Sequence, residues 1–353
     1  MILTALTFFL VLSILVFIHE LGHFALAKWI GVAVEEFGFG LPPRIFGKKI
    51  GKTIYSLNWL PIGGFVKLSG EDEDPKRLNL AKQGSTLKKF FWFRSKKERA
   101  AILIAGVVMN FLLAVGITAY LLTDGVMEPS GRVHVEKVQP GTPAEIAGLV
   151  PNDIIKPFHT AKDLIETTKT HAGTPVVLTV LRDGKEMTLS LTPRKDPPPG
   201  EGAMGVVVSD LEKKTYSLGE APFKAVEINL SRASQMLVSL GGTVWRLVTL
   251  QPLRADVAGP IGIAQVTGEV VKYGFRAVLE LMSILSLNLA VLNILPFPAL
   301  DGGRLAFVFL EKIFGRRIKP AFERSTHQIG MLILFILILL VSFNDILRLA
   351  RGG

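Results

Sequence analysis

The stretch ILVFIHELGHFALAKWI, residues 14 to 30, sets two histidines, a glutamate and a lysine into a run that otherwise suits lipid. An acidic or basic side chain at the centre of a spanning helix costs about 2.5 to 3.5 kcal/mol on insertion scales unless it has a partner. One histidine on an apolar face reads as an ordinary core residue. Three ionisable groups as close as His19, Glu20 and His23 require a partner, and a metal ion supplies one. On a helix, positions i and i+4 turn both imidazoles to one face, and the glutamate beside them can reach a water held there. The chain has no cysteine, which excludes disulfides and thiolate metal sites, so any metal must be held by His, Asp or Glu.

The bulk composition fits that reading. With 353 residues, 49% of them hydrophobic and 20% charged, and a mean hydropathy of +0.42, the chain is too apolar for a soluble enzyme and too charged to lie wholly in a membrane. Uncharged runs long enough to cross about 30 Å of hydrocarbon occur at Ile2 to Ile18 (continuing past His19), Ala100 to Thr123, Leu281 to Leu300 and Thr326 to Phe343. The expected fold is therefore an α-helical polytopic membrane protein with four transmembrane helices, at residues 1–30, 100–123, 281–303 and 326–343. No basic residue precedes the first run and no small-x-small cleavage site follows it, so it is expected as an uncleaved span.

The net charge of +10 raises the possibility of nucleic acid, and its placement argues against it. Basic residues gather in two short loops, 71–99 and 304–325, among them Lys76, Arg77, Lys88, Lys89 and Arg94 in the first and Lys312, Arg316, Arg317 and Lys319 in the second. By the positive-inside rule both loops are cytoplasmic and the long segment between the second and third spans lies outside.

Residues 31–70 include TIYSLNWLPIGGFVKL, whose strand-forming residues around a Pro-Ile-Gly-Gly break read as a hairpin against the membrane, with an ordinary cytoplasmic loop as the alternative. Residues 131–194 form a small α/β module. VHVEKV is a strand, and TPAEIAG is a short helix with Thr142 as N-cap, Glu145 closing a capping box and Gly148 ending it. PVVLTVLRDGKEMTLSLTP is two strands about an Asp183-Gly184 turn. Residues 195–275 read as a Pro-rich linker and an amphipathic segment on the membrane surface.

Two histidines leave a tetrahedral catalytic site short of a protein ligand. Asp301, in NLAVLNILPFPALDGGRL at the end of the third span, is the best candidate, because Pro296 and Pro298 break the helix ahead of it. Spans one and three run in the same direction. His23 precedes Lys28 by five residues and Asp301 precedes Arg304 by three, offsets of roughly 7 and 5 Å along a helix that place the ligands at nearly one depth. Asn110 in the second span reads as packing glue between helices.

Taken together, HELGH in the first span, GFGLPPRIFG, LPIGGFVKLSGEDE, MNFLLA, GPIGIAQVTG and NILPFPALDGG resemble the bacterial site-2 proteases, the intramembrane zinc metalloproteases, over most of the chain in order. VHVEKVQPGTPAEIAGLVPNDII, DLIE and LTVLRDGK are similar to a PDZ domain, though familiar Gram-negative members carry two in tandem and the segment between Asp153 and Asp163 is shorter than usual. The resemblance implies that His19, His23 and Asp301 ligate Zn²⁺ and that Glu20 is the general base. It also implies that residues 31–70 form a membrane re-entrant β-hairpin, and that Asn293, Gly63 and Gly64 contact substrate. The implied substrates are single-span membrane proteins, anti-sigma factors already trimmed outside or remnant signal peptides. The implied setting is the lipid of a bacterial plasma membrane, with the site toward the cytoplasm. Two rival classes remain: a metal or proton transporter, for which no internal repeat is found, and a proteolytically inactive scaffold built on the PDZ-like module.

Cysteines placed singly in this cysteine-free chain test the sidedness. On intact cells an impermeant thiol reagent should label position 185 and spare position 85; the reverse pattern would invert the topology.

Overall fold

The computed structural model describes residues 2–71, 84–249, 251 and 259–350. Its elements in chain order are α1 (Ile2–Ile30), β1 (Val34–Ile50), β2 (Thr53–Leu68), α2 (Lys96–Asp124), β3 (Val126–Val138), α3 (Pro143–Ile146), β4 (Ile154–Lys156), α4 (Ala161–Thr170), β5 (Val176–Arg182), β6 (Lys185–Leu191), β7 (Val206–Lys214), α5 (Ala221–Val248), α6 (Pro260–Val270), α7 (Phe275–Ile294), α8 (Asp301–Phe314) and α9 (Pro320–Ala350), with short 3-10 turns at 84–89, 91–93 and 271–273. The chain divides into two compact units, one made of Met1–Leu121 with Leu218–Gly353 and the other of Leu122–Ser217.

In the first unit, α1, α2, α7 and most of α9 are long and apolar enough to cross a membrane. These are the four expected spans, with one revision. The third was expected to run through residue 303, but α7 stops at Ile294 and Leu295 turns to extended backbone. Pro296 and Pro298 cause this, since each lacks an N–H and pushes its predecessor out of the helical region. Asp301 therefore opens a new helix, and part of the loop expected at 304–325 is the body of α8, which buries Val308 and Glu311 at helical spacing. Much of the basic loop expected at 71–99 falls outside the described residues. The amphipathic α5 is not among the spanning candidates.

Residues 31–70 form a hairpin rather than a loop. Glu36, Phe37, Gly38 and Phe39 are each paired twice, to Lys67, Val66, Phe65 and Gly64 on one side and to Ile54, Tyr55, Ser56 and Leu57 on the other. This start of β1 is thus the middle of the sheet, and residues 64–68 form an outer run. Fastening to α1 is polar at both ends and aromatic between: Ser13 Oγ donates to the Pro61 carbonyl at 2.6 Å, Lys28 Nζ donates to Thr53 Oγ1 at 2.6 Å, and Phe24 stacks on Phe37 with centroids 4.6 Å apart. Lys28, out of place in an apolar run, is explained by that bond.

The second unit is a five-stranded antiparallel sheet in the order β6-β5-β4-β3-β7. Its core is Val133, Val135, Ile155, Leu164, Leu178 and Val180 with their neighbours. The module outgrows its expected limits of 131–194. β3 begins at Val126, and β7, from the stretch expected as linker, pairs with it and packs Val206 and Val208 on the core. The Asp183-Gly184 turn has both φ values positive, at 48° and 78°, as a two-residue hairpin turn requires. The capping box takes another form. Thr142 Oγ1 donates to the Gln139 carbonyl instead of capping α3, and Glu145 accepts from the Gly141 N–H. Asp153 is buried, and burial alone would raise its pKa; the Arg182 guanidinium at 2.7 and 2.8 Å and the Val150 N–H outweigh that and hold it below the usual carboxylate value.

One buried ion pair in the first unit governs the position of α8. Arg99 near the start of α2 bonds Glu311 of α8, with both side chains almost wholly covered. The Glu311 carboxylate also accepts from the Ile318 N–H, and its backbone carbonyl from Lys96 Nζ. Breaking a buried pair from one side leaves an uncompensated charge and costs about 3 to 5 kcal/mol. Arg99→Met should therefore lower the thermal midpoint of the purified protein sharply, and the double variant Arg99→Met, Glu311→Met should regain most of the loss. Equal losses in both would refute the account.

Candidate metal centre

α1 presents His19 and His23 one helical turn apart, their rings edge to face with centroids 4.8 Å apart. The break before α8 delivers Asp301 to the same point. Gly302 and Gly303 permit this, because a Cβ on either would collide with backbone of the 294–298 turn. His327 of α9 accepts the Ala299 N–H at Nδ1 over 3.0 Å, holding the turn where Ala299 has a positive φ of 86°.

His19 Nε2 lies 2.8 Å from Asp301 Oδ2, His23 Nε2 lies 3.2 Å from that oxygen, and the two Nε2 atoms are 3.2 Å apart. Three ligand atoms about 2 Å from a tetrahedral zinc stand roughly 3.3 Å from one another, so the set fits the ion without rearrangement. The donors are also the right kind. His23 Nδ1 is 2.8 Å from the Ile102 carbonyl. A carbonyl only accepts, so the proton sits on Nδ1 and the Nε2 lone pair faces the cluster.

Glu20 points its carboxylate to the outer run of the hairpin, where Oε2 accepts the Val66 N–H at 3.0 Å. Two cavities meet the cluster. One of about 640 Å³ is lined by Glu20, His23, Asp301, Arg304 and His327 among others, and one of about 230 Å³ by His19, Glu20, Asn293 and Asp301. The structure thus gathers His19, Glu20, His23, Asp301 and Asn293 in one place. Gly63 and Gly64 line neither cavity. They sit against α1, and a Cβ on Gly64 would stand 2.8 Å from the Gly38 carbonyl oxygen and 3.9 Å from Glu20 Cγ, so they bring the sheet close to Glu20.

Sequence reasoning passed over His327 and Gly106 here and read Asn110 without its neighbour His19. His327 was legible as an ionisable side chain inside the fourth apolar run. Asn110, expected as packing glue, faces His19 Nδ1 at 3.4 Å, and Gly106 one turn earlier abuts both histidines. Their spacing of four on one helix was the available signal.

An apolar helical bundle that surrounds a His-His-carboxylate cluster, with a second carboxylate and two cavities beside it, has the make-up of a membrane-embedded metallohydrolase. The family model described as Peptidase family M50 matches residues 7–337. Zinc metalloprotease RasP of Bacillus licheniformis is 30% identical over 423 aligned positions, covering 98% of this chain and 99% of the relative; RasP of Geobacillus kaustophilus is 28% identical, covering 96% and 97%. A Fusobacterium nucleatum protein provisionally named a zinc metalloprotease is 31% identical, covering 96% and 97%. The chain belongs to peptidase family M50 and is a multi-pass membrane zinc metalloendopeptidase of the site-2 protease type.

Purified protein should bind about one zinc per chain, and His19→Ala, His23→Ala and Asp301→Ala should each reduce occupancy, measured by elemental analysis after mild chelation. Full occupancy in Asp301→Ala would exclude that carboxylate from the site.

Proposed function

We propose that the protein cleaves peptide bonds within the membrane-spanning segments of single-span proteins, such as anti-sigma factors already trimmed outside or remnant signal peptides, with His19, His23 and Asp301 holding the zinc and Glu20 as general base. The observation that carries this is the shared setting of Glu20, which lines both cavities with the ligand cluster and whose carboxylate is fixed by a backbone N–H of the hairpin.

Zinc held there supplies Lewis acidity, polarising a carbonyl and making water a better nucleophile at neutral pH. Glu20 takes the proton from the attacking water and passes it to the leaving amine, a task for a carboxylate within hydrogen-bond reach of both. A spanning substrate is a closed helix whose peptide groups are all occupied, so it must unwind before attack. The outer run at residues 64–68, apart from the Val66 N–H that Glu20 already holds, offers backbone to pair with the unwound segment by strand addition, and Asn293 reaches the substrate from the smaller cavity. Gly63 and Gly64 serve by letting that strand approach α1.

The hairpin is re-entrant in this reading. Ile45, Phe46, Leu57, Trp59 and Leu60 on its far half are exposed to 57, 63, 47, 70 and 48%, apolar surface that lipid covers at no cost. The unit Leu122–Ser217 is a PDZ-like domain on the outer side that filters substrates by size, and the ligand cluster lies toward the cytoplasmic side of a bacterial plasma membrane.

Glu20→Gln separates chemistry from metal binding. It keeps the side chain's shape, so zinc content and capture of a single-span peptide should stay at wild-type levels while the cleavage rate falls by about 10²-fold to 10⁴-fold. Near wild-type cleavage by Glu20→Gln would sink the mechanism.

A further inference from the structure

α2 presents three consecutive turns to the two histidines of α1. Ile102 gives its carbonyl to His23 Nδ1 at 2.8 Å. Gly106, four residues on, makes room: a Cβ there would stand 2.7 Å from His19 Cε1 and 2.8 Å from His19 Nε2, and closer still to His23 Nε2. Asn110, four residues further, is completely buried, with its amide 3.4 Å from His19 Nδ1. Its backbone carbonyl accepts Ser286 Oγ at 2.8 Å, which fixes this turn of α2 against α7.

The Asn110 amide has Nδ2 toward the imidazole and leaves Oδ1 buried with no hydrogen-bond partner. With Nδ2 donating, His19 Nδ1 is an acceptor and the ring proton lies on Nε2, a tautomer that cannot ligate a metal through Nε2. Turning the amide by 180° about its last torsion exchanges Oδ1 and Nδ2 within the same volume. Oδ1 then accepts from Nδ1–H, the buried oxygen gains its partner, and the Nε2 lone pair is released toward Asp301 and His23.

We propose that Asn110 is a positioning residue for the metal site: its side-chain oxygen accepts the Nδ1 proton of His19 and so holds that ring in the metal-binding tautomer, as the Ile102 carbonyl does for His23. One face of α2 therefore orients both imidazoles. The proposal rests on His19 being a zinc ligand. A metal-binding histidine whose second nitrogen loses its partner typically loses 10-fold to 100-fold in metal affinity.

The test is the zinc dissociation constant of the full-length protein in detergent, by chelator competition, with the visible spectrum of the cobalt-substituted form as a readout of ligand geometry. Asn110→Leu, close in volume and unable to accept, should weaken zinc by about 10-fold to 100-fold and alter the cobalt spectrum. Asn110→Asp retains an acceptor and should stay within about threefold of wild type. Ser283→Ala, which removes the 3.1 Å bond to the Ala114 carbonyl in the same helix pair and touches neither Asn110 nor His19, should bind as wild type. Should Asn110→Leu not fold, Asn110→Ala against Asn110→Asp makes the same comparison. Wild-type affinity in the folded Leu or Ala variant, or an equal loss in Ser283→Ala, overturns the proposal. His19→Ala is the reference: if it keeps its zinc, the underlying ligand assignment fails, whereas loss there with no loss in the Asn110 variants defeats the positioning role alone.

Discussion

Ionisable side chains in a spanning helix must be balanced from outside that helix, and the architecture around α1 follows from this requirement. His19 and His23 lie at 7% and 6% exposure, where neither imidazole can look to bulk water. α2 supplies polar atoms behind the rings, and α8 brings a carboxylate to their front. That carboxylate is delivered by a helix break at Pro296 and Pro298, by two glycines that let α8 start against the turn, and by His327 gripping the turn from α9. The Arg99–Glu311 pair then anchors α8 further along its length. Trp92 lies beside both Arg99 and Arg317, with guanidinium carbons 5.4 and 5.6 Å from its ring centre, and the Arg317 guanidinium donates to its carbonyl. The three candidate ligands are thus held by contacts made well away from the cluster itself.

Hydrolysis inside a bilayer needs water and an opened substrate backbone in a medium that offers neither. In the proposed reading the first need is met by the cavities that reach the His19, His23 and Asp301 cluster, with Arg304 and His327 on the wall of the larger. For the second, the proposed element is the β-sheet beside α1, whose Val66 N–H is held by Glu20. The same bond orders the Glu20 carboxylate, so the position of the proposed base and the position of the outer run are one property. The exposed apolar side chains on the far half of the hairpin and on α9, Phe335, Leu340 and Phe343 among them, are the surfaces that the proposed reading leaves to the bilayer.

The unit Leu122–Ser217 obeys the rules of a soluble domain: its core is aliphatic, and its buried carboxylate, Asp153, is fully engaged by Arg182 and a backbone N–H. Its sheet closes only when β7 arrives from residues 206–214, so the domain is completed by chain that follows the Pro-rich stretch.

What the sequence determined by itself was whatever depends on local pattern. The four apolar runs announced the spans, the H-E-x-x-H spacing placed two imidazoles on one face, and the proline break at the end of the third run pointed to Asp301, since each of these signals lies in a short stretch of chain. The Asp183-Gly184 turn was legible for a similar reason, its backbone conformation being set by two residues. Only the tertiary structure could decide that Asp301 starts a helix instead of ending one, that residues 206–214 are a strand, that Lys28 answers Thr53, and that Asn110 faces a histidine. Each of these depends on which segments meet across the fold, and apolar helices in lipid carry no strong local signal for which face meets which neighbour, because the tails are as apolar as the side chains. Residues 102, 106 and 110 spell a stripe on α2, but its meaning exists only once α1 lies against it.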